Sequence, residues 1–304
     1  MPEFRKLAKN VYAFVQPPLI WHSTAGVILR DRDVVVVDSL ANEAMTRALL
    51  GEIRKITDNP VRFLINTHSH ADHVYTNHLF PSATVVCSRR GWEKTREFQR
   101  RQALHTESFA RLFPDMDFSG GRYTLQDAAF TGVLSLYRNE REIRLIELGP
   151  GHSESDVAVH LPAEGIVFCG DLFMNGLPPL PGEGLLTATV ANLKKLLDLG
   201  AETYVAGHGS PGTMKDAAEH LALLEALADK SRRCFDRGLS YDEAMEALSD
   251  DPLPAEFIRP TLLSGYREWA GKMPACGDPA DTDHMRILSR VARRAELLLR
   301  PTGG

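Results

Sequence analysis

The stretch Thr67-His68-Ser69-His70-Ala71-Asp72-His73 places three imidazoles and a carboxylate within six positions. Imidazole nitrogen and carboxylate oxygen are the usual donors to Zn²⁺ and related first-row divalent ions. Further donors stand in Gly149-Pro150-Gly151-His152-Ser153, in Gly170-Asp171 and in Gly207-His208-Gly209. A lone His in a turn is ordinary surface, but several donor-bearing turns of similar design point to one site. The candidate set is His68, His70, Asp72, His73, His152, Asp171 and His208. Seven donors exceed what one tetrahedral ion takes and suffice for two ions that share a carboxylate.

Each cluster follows an apolar run that reads as a strand: 61–66, 142–148, 165–169 and 202–206. Strand ends of one sheet lie along one edge, so donors distant in sequence can converge there. Val34-Val35-Val36-Val37 suits a strand buried on both faces and ends in Asp38. A carboxylate beside a dry strand needs a partner. Asp38 therefore either caps the helix that follows or accepts the hydrogen bond that orients a ligand His. Residues 42–56 form an amphipathic helix with Met45, Leu49, Ile53 and Ile56 on one stripe. The order β-β-β-α-β-loop-α-β indicates a layered α/β core. Residues 91–113 turn helical outside this alternation and read as an inserted lid. From about Met214 the chain is helical to near its end, with capping-box spacing at Ser240 to Glu243. The organisation expected is a catalytic core over 1–215 and a helical C-terminal extension over 216–304 packed on it. His220 and His284 are read as surface residues of that extension.

The chain has 304 residues, 43% hydrophobic and 25% charged, the balance of a soluble globular enzyme. A net charge of -5 without a dense Lys/Arg run argues against nucleic acid as a partner. No apolar run reaches the roughly 18 residues of a membrane span, and no apolar signal core follows the N-terminus. The expectation is a cytoplasmic monomer or homodimer that acts on a small molecule and binds neither nucleic acid nor membrane. Cys87, Cys169, Cys234 and Cys276 are widely separated and read as free thiols.

In the order Thr67-His68-Ser69-His70-Ala71-Asp72-His73, Gly151-His152, Gly170-Asp171 and Gly207-His208-Gly209, the sequence resembles the metallo-β-lactamase-fold hydrolase superfamily. The resemblance covers roughly residues 10 to 215. Within it the chain looks similar to glyoxalase II-like, SoxH-like and broad-specificity members. The resemblance implies an αββα sandwich carrying the helical insertion and the helical extension. It implies two Zn²⁺ per chain, with Fe or Mn as other occupants. His68, His70 and His152 would bind the first metal, Asp72, His73 and His208 the second, and Asp171 both. Asp38 matches a buried aspartate placed behind the site. The implied activity is hydrolysis of an ester, lactone, thioester or amide bond, β-lactams included, by a metal-bridging hydroxide. Two divalent ions set against Asp72, Asp171 and a hydroxide leave the site about one charge positive, which favours an oxyanion or an anionic substrate. Asp72 and Asp171 are the catalytic candidates, Asp72 as proton acceptor from the attacking water. The alternative is an iron-dependent oxidoreductase of the persulfide dioxygenase type on the same fold. Trp21 and His22 in a proline-bearing loop, with Tyr75, Tyr137 and Asn175, are the candidates for the substrate pocket. Trp21 and His22 either sit exposed at a loop tip and cover the substrate or simply pack the hairpin, and the lid and the Pro-rich loop 177–184 would wall the pocket.

Overall fold

The computed structural model describes residues 2–271 except Pro18, Ile20, Asp115, Gly182, Glu183 and Pro254. The last part of the expected extension, with His284 and Cys276, lies outside the described residues.

The chain opens with four antiparallel strands: β1 (Glu3–Ala8), β2 (Val11–Val15), β3 (Ala25–Leu29) and β4 (Val34–Val37). Helix α1 (Glu43–Ile56) crosses over to β5 (Val61–Ile65), which lies parallel to β4. A single helical turn, α2 (Ala71–Val74), precedes β6 (Thr84–Ser88). The helices α3 (Arg89–Arg100) and α4 (Gln102–Leu112) lead to β7 (Ala128–Phe130). A second sheet then begins with the hairpin β8 (Val133–Arg138) and β9 (Arg141–Glu147), followed by β10 (Val157–Leu161) and β11 (Ile166–Phe168). Helix α5 (Leu186–Asp198) returns the chain to β12 (Thr203–Val205), parallel to β11, and β13 (Gly212–Thr213) closes the sheet. Three helices end the described chain: α6 (Met214–Asp236), α7 (Tyr241–Ala247) and α8 (Ala255–Trp269).

Among the described residues the strands make a seven-stranded sheet, β1 to β7 in order, and a six-stranded sheet, β13-β12-β11-β10-β9-β8. The run Val34 to Val37 shows why the two sheets stack. Val35 and Val37 join Ile28, Ile65 and Val86 against Leu145, Val159 and Phe168 of the other sheet. Val34 and Val36 face outward and pack on Leu49 and Ile53 of α1. Alternate side chains of a strand point to opposite faces, so a strand with helix on one side and sheet on the other is apolar throughout. The second sheet has the same arrangement, with Ala158, Val167 and Tyr204 covered by Leu193 and Leu196 of α5 and Ala217, Leu221 and Leu224 of α6. The architecture is an αββα sandwich, as expected.

Boundaries shift slightly for local reasons. Asn42 is not the first helical residue but the cap of α1, its side chain accepting from the Met45 N–H at 2.9 Å. The expected lid is two helices, broken at Arg101, that bury Thr95, Phe98 and Phe109. The capping box at Ser240 and Glu243 starts α7 as its spacing indicates, and a second box at Thr213 and Asp216 starts α6. His220 is a correction. It is buried on the inner face of α6 with its ring edge-on to Phe173, not at the surface. Cys87, Cys169 and Cys234 are buried free thiols. Among the described residues no helix is long and apolar enough to cross a membrane.

Candidate metal centre

The parallel pairs β4/β5 and β11/β12 bring four strand ends to one rim of the sandwich. Asp38 follows β4, His68 follows β5, Asp171 follows β11 and His208 follows β12. His152 arrives from the turn between β9 and β10. The second half of the histidine motif is the turn α2, with His70 at its N-cap. Helical winding throws Asp72 and His73 about 100° apart instead of onto opposite faces. All seven candidate donors gather there, as one group of His68, His70, His152 and Asp171 and a second of Asp72, His73 and His208.

In the first group, His70 Nδ1 lies 3.0 Å from His68 Nε2 and 3.1 Å from His152 Nε2. The tautomers follow from what stands behind each ring. The Thr67 hydroxyl donates to Asp38 Oδ2 at 2.7 Å, so its oxygen accepts from His68 Nδ1 at 3.0 Å. The Leu180 carbonyl can only accept, so His152 Nδ1, 2.7 Å away, carries the proton. In the neutral rings both Nε2 atoms therefore turn a lone pair toward His70. Nitrogen lone pairs facing one another at this separation are what a cation would fill.

In the second group, His73 Nδ1 lies 2.8 Å from Asp38 Oδ2, and His208 Nδ1 lies 3.0 Å from the Leu19 carbonyl. Their Nε2 atoms face carboxylates. His73 Nε2 is 3.2 Å from Asp171 Oδ1 and 3.4 Å from Asp72 Oδ2. His208 Nε2 is 3.1 Å from Asp72 Oδ2 and 3.2 Å from Asp171 Oδ2. Yet Asp72 Oδ2, His73 Nε2 and Asp171 Oδ1 are buried with no hydrogen-bond partner. Asp171 reaches back to the first group, with Oδ2 3.5 Å from His152 Nε2 and 3.8 Å from His68 Nε2. Its closeness to the rim depends on Gly207, where a Cβ would meet Asp171 Oδ1 at 2.0 Å. Orphaned buried donors and acceptors, arranged around two adjacent points, fit a pair of divalent cations.

Charge is distributed unevenly. Burial, and then the neighbouring His73 and His70, hold His68 well below the ordinary imidazole range. Burial works against charge on His73 as well, but Asp171, Asp72 and Asp38 overcome it and hold the ring well above that range. For His208 burial is likewise outweighed, first by Asp171, and the group is raised to about 10. Burial would raise both carboxylates, but His73 and His208 hold Asp72 and Asp171 down.

Asp38 is buried and hydrogen-bonded to the residues around the donors. Besides His73 it accepts from the Thr67 N–H at 2.8 Å and the Thr67 hydroxyl, while Asn42 caps α1. Its backbone is left-handed, φ 64°, as is that of Leu40, φ 82°. Such strain in non-glycine residues collects at functional sites. Several supporting residues have no obvious sequence signal. Thr67 relays His68 to Asp38. Asn192 donates to the carbonyls of Leu148 and Pro150 and fixes the turn that carries His152. Asp156 accepts from the Ser153 N–H at 3.1 Å and from its hydroxyl, and burial pushes its carboxyl up to about 7.

The pocket candidates separate. Trp21 is 8% exposed, not an exposed tip, and its ring packs on Phe109, Phe113 and Phe118. Tyr75 is buried in the same aromatic cluster, against Tyr123. Both residues pack α3 and α4 onto the core. Tyr137 is 64% exposed and pairs with Glu142, at the end of the β8–β9 hairpin away from His152. It does not join the site, and it lines a 480 Å³ surface cleft with Arg30, Arg62 and Arg138. Asn175 braces the His208 loop, its backbone N–H donating to the His208 carbonyl and its side chain to that of Ser210, both at 2.9 Å. His22 is half-buried, and burial, then His208, lower its pKa, with Asp72 opposing.

Comparison with known proteins adds to this geometry. Residues 20–208 match the profile of the family described as the metallo-beta-lactamase superfamily. A linear primary-alkylsulfatase of Pseudomonas sp. (strain ATCC 19151) is 22% identical over 87% of this chain and 58% of its own. The alpha subunit of a 2,4-dinitroanisole O-demethylase from Nocardioides sp. (strain JS1661) is 26% identical over 62% of this chain and 55% of its own. The chain thus spans little more than half the length of these curated relatives. Among solved structures, an inverting sec-alkylsulfatase from Pseudomonas sp. superposes with a TM-score of 0.70 at 15% identity, over 92% of this chain and 52% of its own. A metallo-β-lactamase family protein from Thermus thermophilus gives 0.66 at 22% identity, over 88% of this chain and 95% of its own.

Proposed function

Since the chain belongs to the metallo-β-lactamase superfamily, we propose that it is a dinuclear metal-dependent hydrolase. Its substrate is an ester, lactone, thioester or amide, and the alkylsulfatase relative adds alkyl sulfate esters to these classes. The reading rests on one observation: two adjacent groups of donors that meet at Asp171. Zinc suits the nitrogen-rich sets best, with iron or manganese as other occupants. His68, His70 and His152 would hold one ion, Asp72, His73 and His208 the other, and Asp171 both. When bound, such a pair lowers the pKa of water from about 15.7 toward 7 and draws charge from the oxygen of the scissile bond.

The chain's own residues supply the rest. Asp38 and the carbonyls of Leu19 and Leu180 fix which nitrogen of His73, His208 and His152 faces the site. Asp72 Oδ2, buried and without a hydrogen bond, is where a proton from the attacking water would be held. The second donor group also speaks for two ions over the single iron of an oxidoreductase.

The test is a hydrolysis screen of the zinc-loaded chain on aryl esters, lactones, thioesters, β-lactams and alkyl sulfates, with metal content measured in parallel. Turnover of one class, lost in Asp72→Ala, supports the reading. Two bound ions with no turnover on any class contradicts it.

A further inference from the structure

Helix α5 begins without a cap of its own. Its N-cap residue, Leu185, offers no side-chain acceptor, and its first turn holds no acid. The first N–H groups of a helix have no partner inside it, and a side-chain oxygen or a negative charge placed there stabilises the start. Here the oxygen comes from the C-terminal extension. The Glu268 carboxylate of α8 accepts from the Thr187 N–H at 3.1 Å and from the Thr187 hydroxyl. One turn back on α8, Ser264 is buried with its hydroxyl 3.5 Å from the Gly184 carbonyl. Beside it, a Cβ at Gly265 would meet Leu186 Cδ2 at 3.0 Å, so α8 reaches α5 where it lacks a side chain.

The other side of segment 184–187 carries a metal-ligand candidate. The Gly184 N–H donates to the His152 carbonyl at 3.0 Å. A Cβ at Gly184 would overlap the Gly151 carbonyl oxygen, so the two backbones lie in direct contact. Further along α5, Asn192 donates to the carbonyls of Leu148 and Pro150. The turn 148–152 is thus pinned at both ends to α5 and the residue leading into it, and α5 is started by α8.

We propose that α8 positions His152, with Glu268 as the positioning residue that holds 184–187 in place. The C-terminal helices then belong to the scaffold of the site. The assignment rests on the metal-centre reading above, but its first readout needs neither metal nor turnover. Glu268→Ala removes the acceptor, and Glu268→Gln returns an oxygen to it. Thr187 and Glu268 meet near the surface, so these variants leave the core intact. Ser240→Ala is the control, because it removes a cap of similar worth from α7 in the same extension. Amide exchange followed by NMR in the metal-free chain reports how often the Gly184–His152 bond opens. Exchange at Gly184 should be about 5-fold faster in Glu268→Ala, the worth of one helix cap as an equilibrium constant. It should recover in Glu268→Gln and stay unchanged in Ser240→Ala. Zinc affinity, measured by chelator competition, should fall by about the same factor for one of the two ions, in Glu268→Ala alone.

Unchanged exchange at Gly184 in Glu268→Ala overturns the proposal. So does an equal rise in Ser240→Ala, no recovery in Glu268→Gln, or faster exchange with zinc affinity untouched. A chain that takes up no zinc refutes the metallohydrolase reading and leaves the exchange comparison to decide whether α8 holds the turn of His152.

Discussion

The His68–His70–His152 half of the centre is built from imidazoles alone, and His68 stands well below its ordinary pKa behind a threonine hydroxyl. The Asp72–His73–His208 half carries a carboxylate of its own, and both its histidines stand above their ordinary pKa. In the first half, His68 presents its Nε2 lone pair and can take a cation without giving up a proton. The second holds its charge internally as carboxylate against imidazolium, so a metal must displace protons to enter. One rim thus holds a site that is ready and a site that is guarded. Asp171 touches both.

The largest effect should come from removing the shared group. Asp171→Ala should lower the affinity of both ions and cost more activity than the ~10–100-fold of losing a supporting residue. Metal titration followed by mass spectrometry would check this, and loss from one half alone would break the picture of a shared carboxylate. Next comes Asp38→Ala, which strands His73 Nδ1 and two donors of Thr67. Metal affinity should fall ~10–100-fold, and urea unfolding should show about 1–3 kcal/mol lost per stranded donor. Thr67→Val is sharper, because it removes the relay to His68 and leaves His73 on Asp38. Its effect should be near the lower end of that range and confined to the ion of the first half.

The smallest effect concerns the metal-free chain. His208 is raised from 6.5 to about 10 by its carboxylate neighbours, Asp171 foremost. Its contribution to stability is therefore complete below about 6.5 and lost as the pH climbs through 10. The melting temperature of the metal-free chain should drop across that window, while bound zinc, by replacing the protons, should flatten the drop. A flat profile without metal would remove the contrast between the two halves.

The donor positions were legible because each is a local event, an apolar strand that stops at a His or an Asp. The four valines before Asp38 announced a strand covered on both sides for the same reason. His220 was legible in principle, since Ala217, Leu221 and Leu224 set a helical stripe that it joins. The pocket residues were not. Whether Trp21 covers a substrate or packs into the core depends on how α4 packs, and Tyr137 falls at the far end of its sheet because of hairpin register. Thr67 stood inside the motif, yet its relay exists only because β4 and β5 end side by side. Leu19 and Leu180 act through backbone carbonyls, which any residue carries.

The most direct test of the central claim is anomalous X-ray scattering at the zinc edge from crystals grown with excess zinc. The account predicts two peaks, one among His68, His70 and His152 and one among Asp72, His73 and His208, with the Asp171 carboxylate touching both. A single peak, or His152 or His208 turned away from an empty cavity, would contradict it.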